Sequence, residues 1–332
     1  MKFLGSIVAA VAALATGISV FAAASAPARD EAQPPGGHVV ASIPIPANSG
    51  GFAIGEGAVW STSDAVSVLT RIDPTRNAVV AQTKLPLENP CPELPGSCGE
   101  AAAGNGAIWL ARVSDNMVLR IDPATSAVVA TVPVGYQPEG IAVTPGAIWV
   151  ANKGGPSVSR IDPATNQVVA TIPIGPPGAC CSDHMAVAAG AAAVWVSLPD
   201  LNTIVRIDPA TNAVARRVRL AGQPCAFLVA DLRAVFAAGG HCTGTVLHID
   251  PKTNKARRPI DGLAAPIGLA VGFGSLWVAD LDAKTIDRVN ERTGRIVGRL
   301  RVGGYPVRLG IGFGSVWVRD DTGRVLRINP QS

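Results

Sequence analysis

Along residues 136–175, short apolar runs alternate with turn residues at a spacing that predicts four β-strands in succession. Residues 141–143 (Ile-Ala-Val) are an apolar run suited to a strand buried on both faces. Thr144, Pro145 and Gly146 turn the chain, and residues 147–150 form a second strand around Trp149, its large packing residue. Residues 157–161 alternate as a third strand, and residues 168–174, rich in β-branched side chains, make a fourth. Between these two, Asp162-Pro163-Ala164-Thr165-Asn166 reads as a hairpin turn. Asp suits its first position, Pro presets φ at the second, and Asn tolerates the left-handed conformation at the end. No apolar stripe of period 3.6 occurs, so almost no helix is expected beyond the first residues of the chain.

The same pattern returns throughout. Trp60, Trp109, Trp149, Trp195, Trp277 and Trp317 mark it, with Phe236 in the one gap, at successive spacings of 49, 40, 46, 41, 41 and 40 residues. Thirteen residues after the aromatic stands Asp73, Asp122, Asp162, Asp208 or Asn290; Asp250 comes one residue later in its unit and Asn329 one earlier. Gly57, Gly106, Gly146, Gly274 and Gly314 lie three residues before the aromatic, as a tight hairpin with positive φ asks. Seven such units predict an all-β fold, a seven-bladed β-propeller of four-stranded blades. Residues 38–45, HVVASIPI, match residues 167–174, QVVATIPI, at six of eight positions, so the chain opens with a fourth strand that has no first three before it. The last unit has no fourth strand. The N-terminal strand is therefore expected to join the last blade, closing the ring and removing exposed edges.

With 48% apolar and 16% charged residues the chain has ample core, and the repeat fuses residues 38–330 into one domain. Residues 1–26 read as a signal peptide: Lys2, an apolar run, and Ala24-Ser25-Ala26 as a small-x-small cleavage site. Gly5, Gly17 and many Ala make that run weakly hydrophobic for a permanent span. Residues 27–37 follow as a flexible linker. A periplasmic or extracellular monomer without a permanent membrane span is expected.

The extra length in the spacings of 49 and 46 sits in two inserts, residues 86–99 with Cys91 and Cys98, and residues 176–183 with Cys180 and Cys181. Both lie between a fourth strand and the next first strand. In a four-stranded meander those connections share one face, here called the top, with the second-to-third strand loops. Six cysteines in an exported chain favour disulfides. Cys91 with Cys98 closes one short loop, and Cys225 with Cys242 both belong to the top of the fifth unit; these two bridges are expected. Cys180 and Cys181 are adjacent, and their partners stay open. Zinc is the weaker reading, since no CxxC occurs.

The stretch WVAN…VSRIDPATNQVVATIPIG (residues 149–175) resembles the YVTN repeats of propeller proteins and is similar to the propeller of the streptogramin (virginiamycin B) lyases. The resemblance covers about residues 38–330 and implies the propeller fold. It also implies two alternative kinds of activity. YVTN propellers of bacterial envelopes bind partners; streptogramin lyases open a cyclic ester by elimination, with a His, a Glu and a magnesium ion near the central axis on one face. His241, in a second-to-third strand loop, stands where such a catalytic His would.

Non-repeated polar residues on the top face are the candidate binding residues. Glu100 and Glu139 enter the first strands of units two and three, Asp183 and His184 enter unit four, and Arg308 enters unit seven. The second-to-third loops add Lys153, His241, Asp282 and Asp320. Polar groups converging on the mouth of an axial channel make a standard binding arrangement; for the set as a whole the alternative is ordinary solvated loops. Acid–base chemistry would fall to His184 or His241. His248 takes the Arg slot of its repeat and reads as structural, as do the recurrent pairs Arg71/Asp73, Arg120/Asp122, Arg160/Asp162 and Arg206/Asp208.

Two functions follow. The first is a non-catalytic binding or scaffold module whose top face takes a small molecule or a protein. The second is a metal-dependent lyase or hydrolase at the top axial mouth. No cofactor is evident, and Mg²⁺ enters only with the lyase reading. Nucleic acid is disfavoured: the net charge is +4, and the one dense basic cluster, Lys255, Arg257 and Arg258 with Arg216, Arg217 and Arg219, lies on the outer wall.

Overall fold

The computed structural model describes residues 37–63, 66–86, 99–176, 184–190 and 192–331. The residues read as a signal peptide (1–26), nearly all of those read as a linker (27–37), and Cys91, Cys98, Cys180, Cys181 and Asp183 lie outside the described residues. The described residues form seven antiparallel four-stranded sheets arranged as the blades of a propeller. Blade three shows how one sequence unit becomes a blade. Its strands are Pro138–Thr144, Ala147–Asn152, Ser157–Asp162 and Gln167–Pro173. The second strand is wholly buried, whereas the fourth, at the rim, alternates exposed and half-buried residues. That gradient explains why the inner strands read as apolar runs and the outer one as a period-two pattern.

The turn chemistry is as the sequence predicts. Gly57, Gly106, Gly146, Gly274 and Gly314 all have φ between 69° and 78°. At the end of the third-to-fourth turn, Asn77, Asn166, Asn212, Asn254 and Gly294 have positive φ, and Ser126, which departs from the pattern, adopts it too at 60°. The Asp that opens the turn accepts the N–H two residues on, as Asp162 does from Ala164 at 2.8 Å. Helix is confined to a 3₁₀ turn at Pro199–Leu201 and one turn at Gly240–Thr243 among the described residues. No helix among them is long and apolar enough to cross a membrane.

Ring closure follows the sequence pattern. Blade seven consists of Pro306–Gly312, Ser315–Asp320 and Arg324–Asn329, completed by His38–Pro44 from the start of the chain, with His38 opposite Asn329 and Pro44 opposite Arg324. The edge that an open array would expose is thereby paired.

The blades are separate sheets with no ladder between them, so side chains do most of the joining from one to the next. Each Trp is fully buried, and its indole N–H is satisfied within the blade, Trp60 by the Gly55 carbonyl at 3.0 Å and Trp149 by Thr144 Oγ1 at 3.0 Å. Opposite the Trp, on the third strand, stands an Arg whose guanidinium lies over the indole at 5.1–5.4 Å in six blades. The Arg then reaches into the next blade. Arg120 donates to the Pro163 carbonyl at 2.8 Å and Asn166 Oδ1 at 2.7 Å, and Arg160 repeats this on Pro209 and Asn212 at 3.0 and 2.7 Å. Arg206 reaches Asn254, Arg288 reaches Pro330, and Arg327 closes the circle on Pro74 and Asn77 of blade one. The recurrent Arg is thus a clamp between blades, where the sequence suggested only an arginine lying on a strand.

The clamp's two parts predict a graded loss. Arg160→Ala removes the stacking on Trp149 and two charge-assisted hydrogen bonds, and should cost about 2 kcal/mol in urea unfolding. Arg71 reaches a single acceptor, the Ala124 carbonyl, because Ser126 stands where the turn that Arg160 reaches has Asn212. Arg71→Ala should therefore cost measurably less. Equal losses in the two variants would mean that the inter-blade bonds contribute nothing beyond the stacking.

Candidate functional site

The first strands of the blades line the axis, and they approach closely because most carry small residues there. Counted from the residue that pairs with the ruler aromatic, the position two residues earlier is Gly51, Glu100, Gly140, Ala186, Phe227, Gly268 and Arg308 in blades one to seven. At Gly140 a Cβ would come within 2.6 Å of the Met185 carbonyl oxygen, and at Gly268 within 2.8 Å of that of Val307. Four blades keep the slot small. Glu100, Phe227 and Arg308 fill it in the other three, where the repeat is broken at the top of the axis.

These three residues, with Glu139, Lys153 and His184, form one connected group. His184 Nε2 lies 2.8 Å from Glu100 Oε1, and its Nδ1 lies 3.1 Å from Glu139 Oε1. Glu139 is buried; its Oε2 accepts the Met185 N–H at 2.8 Å, and Lys153 Nζ stands 3.8 Å from its Oε1. The backbones are joined as well, the Glu100 N–H donating to the Glu139 carbonyl at 2.8 Å. The His184 ring packs on Phe227 with centroids 4.7 Å apart, and the Arg308 guanidinium covers the same Phe ring at 3.8 Å. The group therefore spans blades two, three, four, five and seven. Arg308 extends past blade six, where the slot holds only Gly268.

The electrostatics follow from this arrangement. Burial disfavours the charged imidazole of His184, but Glu139 and Glu100, one at each ring nitrogen, outweigh it and raise the pKa to about 9. Burial likewise opposes ionisation of Glu139, but the His184 charge and hydrogen bond, Lys153 and the Met185 N–H hold its pKa below the ordinary carboxylate range. At neutral pH His184 is therefore an imidazolium, held between Glu139 and Glu100, with Arg308 over the neighbouring Phe227 ring.

The remaining candidates lie elsewhere or serve other ends. His241, in the helical turn at the top of blade five, pairs with Asp282 of blade six at 3.2 Å, and both side chains are more than half exposed. No described contact joins that pair to His184. Asp320 is buried and accepts from the Thr322 N–H at 2.7 Å and from Arg324 at 2.9 and 3.1 Å, so it pins the second-to-third loop of blade seven. Burial raises its pKa, but the bonds from Thr322 and Arg324 bring it below the usual value. Cys225 and Cys242 are joined, tying the entry of blade five to its top loop. Sequence reasoning missed Phe227, whose one signal is its register with Glu100 and Arg308. It also missed Arg319, fully buried, which donates to the carbonyls of Pro46, Asn48 and Asp320 and ties blade seven to the entry of blade one.

Solved structures with this architecture include virginiamycin B lyase from Staphylococcus aureus, with TM-score 0.69 and 15% identity over 87% of this chain and 98% of that one. A catalytically inactive His-to-Ala variant of that lyase with quinupristin gives 0.69 and 14% over 85% and 94%. Hydrazine synthase of Kuenenia stuttgartiensis gives 0.68 and 14% over 86% and 96%. No protein-family model matches the chain. No curated protein sequence matches it either. At these identities the likeness establishes the fold, a propeller of the streptogramin-lyase kind, and leaves activity to be argued from the site.

The raised His184 pKa fixes the sign of a pH dependence. A group whose pKa is higher folded than unfolded contributes stability that is fully present below the unfolded value, about 6.5 for His, and lost as pH rises through the folded value of about 9. Urea unfolding from pH 6 to 10 should show this fall, and His184→Gln should flatten it. A His184 ring-proton NMR titration with its midpoint at 6.5 would contradict the braced imidazolium.

Proposed function

We propose that the chain is an exported binding propeller whose ligand sits at the top axial mouth. The observation that carries this reading is the group of Glu100, Glu139, His184, Phe227 and Arg308. Five blades contribute to it, and it stands where near-identical units stop being identical. A specific ligand has to be read by residues that differ between blades, and loops and strand ends on a rigid ring are the places that offer them. Glu100 and Glu139 are already matched by His184 and Lys153. The group sets three cationic side chains, His184, Lys153 and Arg308, against these two carboxylates, and with the flat Phe227 ring it suits a small molecule or protein segment that joins an anionic group to a flat or apolar part. Export is supported by the leader pattern of residues 1–26 together with the Cys225–Cys242 bridge.

The chemistry of the group favours binding over catalysis. A general base must be free to take a proton at working pH, whereas an imidazolium with a pKa of about 9 already holds one. A second reading, metal-dependent ring opening, rests on the fold likeness to virginiamycin B lyase and on the His241–Asp282 pair. The donor set does not favour a metal at the mouth. Glu100 and Glu139 address opposite nitrogens of one imidazole, and among the described residues no three His, Cys, Asp or Glu side chains are grouped to hold an ion. No step through a metal is derived.

A thermal-shift screen of carboxylate-bearing small molecules and short acidic peptides, followed by titration of the best binder, tests the reading. Arg308→Ala and Glu139→Gln should each weaken binding about tenfold, on the scale of one charge-assisted hydrogen bond, while His241→Ala should not. Binding that survives both mouth substitutions would refute the site. Ring opening of quinupristin in the presence of Mg²⁺, abolished by His241→Ala, would replace this reading with the lyase one.

A further inference from the structure

Six of the seven blade junctions carry the Trp–Arg clamp; the junction from blade five to blade six does not, and both halves of the clamp have changed there. On blade five, Phe236 replaces the Trp and His248 the Arg, their rings stacked with centroids 4.6 Å apart. His248 makes no side-chain hydrogen bond to blade six among the described residues. On blade six the receiving turn is Asn290-Glu291-Arg292-Thr293-Gly294, so Glu291 stands where other turns have Pro and Gly294 where they offer an Asn oxygen. The fourth strand of blade five is cut to Lys255–Ala256.

The missing clamp leaves space that no other side chain fills. A groove of about 690 Å³ opens at the seam, its charged lining being Arg257, Arg258 and Asp261 from blade five and Arg292 and Arg295 from blade six, with His248 beside them. A second hollow of about 510 Å³ shares His248, Arg257 and Arg292 with it and adds Arg233 and Glu291. Two of these arginines are partly engaged, Arg257 by Asp250 and Arg258 by Asp261 at 3.7 Å. The guanidiniums of Arg292 and Arg295 have no acidic partner among the described residues. Because the third-to-fourth turns lie on the face opposite the top, this groove is separate from the axial mouth.

Guanidiniums on both walls of a cleft recognise oxyanions by paired N–H···O bonds, and a cleft of this volume takes a small molecule. We propose that the seam between blades five and six is a binding site for a compact phosphate- or sulfate-bearing molecule, received by Arg292 and Arg295 on one wall and Arg257 and Arg258 on the other. The bound anion would join the two blades where the side-chain clamp is absent. Such a ligand at free concentration c stabilises the folded ring by RT ln(1 + c/Kd), so Tm rises with ligand concentration.

The test uses two probes, inorganic pyrophosphate and sucrose octasulfate, in thermal-shift and calorimetric titrations against sodium chloride at matched ionic strength. At least one probe should raise Tm and bind saturably with a stoichiometry of one. Pyrophosphate alone would assign a phosphate-bearing ligand, and the octasulfate alone a sulfated one. Arg292→Ala and Arg295→Ala, both on an exposed turn, should each weaken binding about tenfold. Arg219→Ala, on the rim of blade four, should leave it unchanged, and so should Glu139→Gln at the mouth, which separates this site from the function proposed above. No binding of either probe beyond the chloride control, or equal weakening by Arg219→Ala, would overturn the proposal.

Discussion

The arginine between each buried Trp and the next blade's turn is the contact on which the ring depends. A propeller blade satisfies most of its backbone internally, so adjacent blades meet mainly through side chains, with few backbone bonds such as Glu100 N–H to the Glu139 carbonyl between them. Apolar packing supplies most of that contact, Trp149 sharing a cluster with Val187, Val194, Val205 and Ile207 of the neighbouring blade. Such packing is non-directional. The guanidinium adds direction: it is flat against an indole on one side and bonded on the other to a carbonyl, an amide oxygen or both in the next blade. Repeated at six junctions and closed by Arg327 on Pro74 and Asn77, it sets how those blades are placed against their neighbours.

That rigidity is what leaves the ends of the axis free to vary. Where first strands carry Gly or Ala, backbones approach to the limit set by a missing Cβ, as at Gly140 and Gly268. Glu100, Phe227 and Arg308 are tolerated in the same slot because the small residues of the other blades leave room above them. His184 then enters from the connection into blade four and is met by a carboxylate at each nitrogen. A buried carboxylate pair without this imidazolium would be costly, and so would the imidazolium without the pair. The charged residues at the mouth are therefore interdependent, and each is explained only by the others.

The same reasoning gives meaning to the one junction where the clamp is lost. His248 for Arg, Glu291 for Pro and Gly294 for Asn are scattered changes in the sequence but fall on one seam in the fold. Beneath the seam the junction is closed by apolar packing, Phe236, Val246 and Ile260 sharing a cluster with Leu276, Val278 and Val289 of blade six. The arginines line only the groove left outside that packing.

The chain by itself determined the fold, and it did so through local chemistry. Trp149 and its copies, the hairpin glycines and the Asp-Pro turns each act within a few residues, so their spacing shows the blades directly. Ring closure was legible for the same reason, since residues 38–45 repeat a fourth strand that the last unit lacks. The sequence also singled out Glu100, Glu139, His184 and Arg308 as polar residues that break the repeat. It did not indicate that His184 would be braced by Glu100, 84 residues away, while His241 pairs with exposed Asp282 and Asp320 holds a turn. Those outcomes depend on which blades face one another across the axis and how deeply each side chain is buried. Only the closed ring sets those distances, because no local spacing encodes the contact between blade five and blade seven that places Arg308 over Phe227.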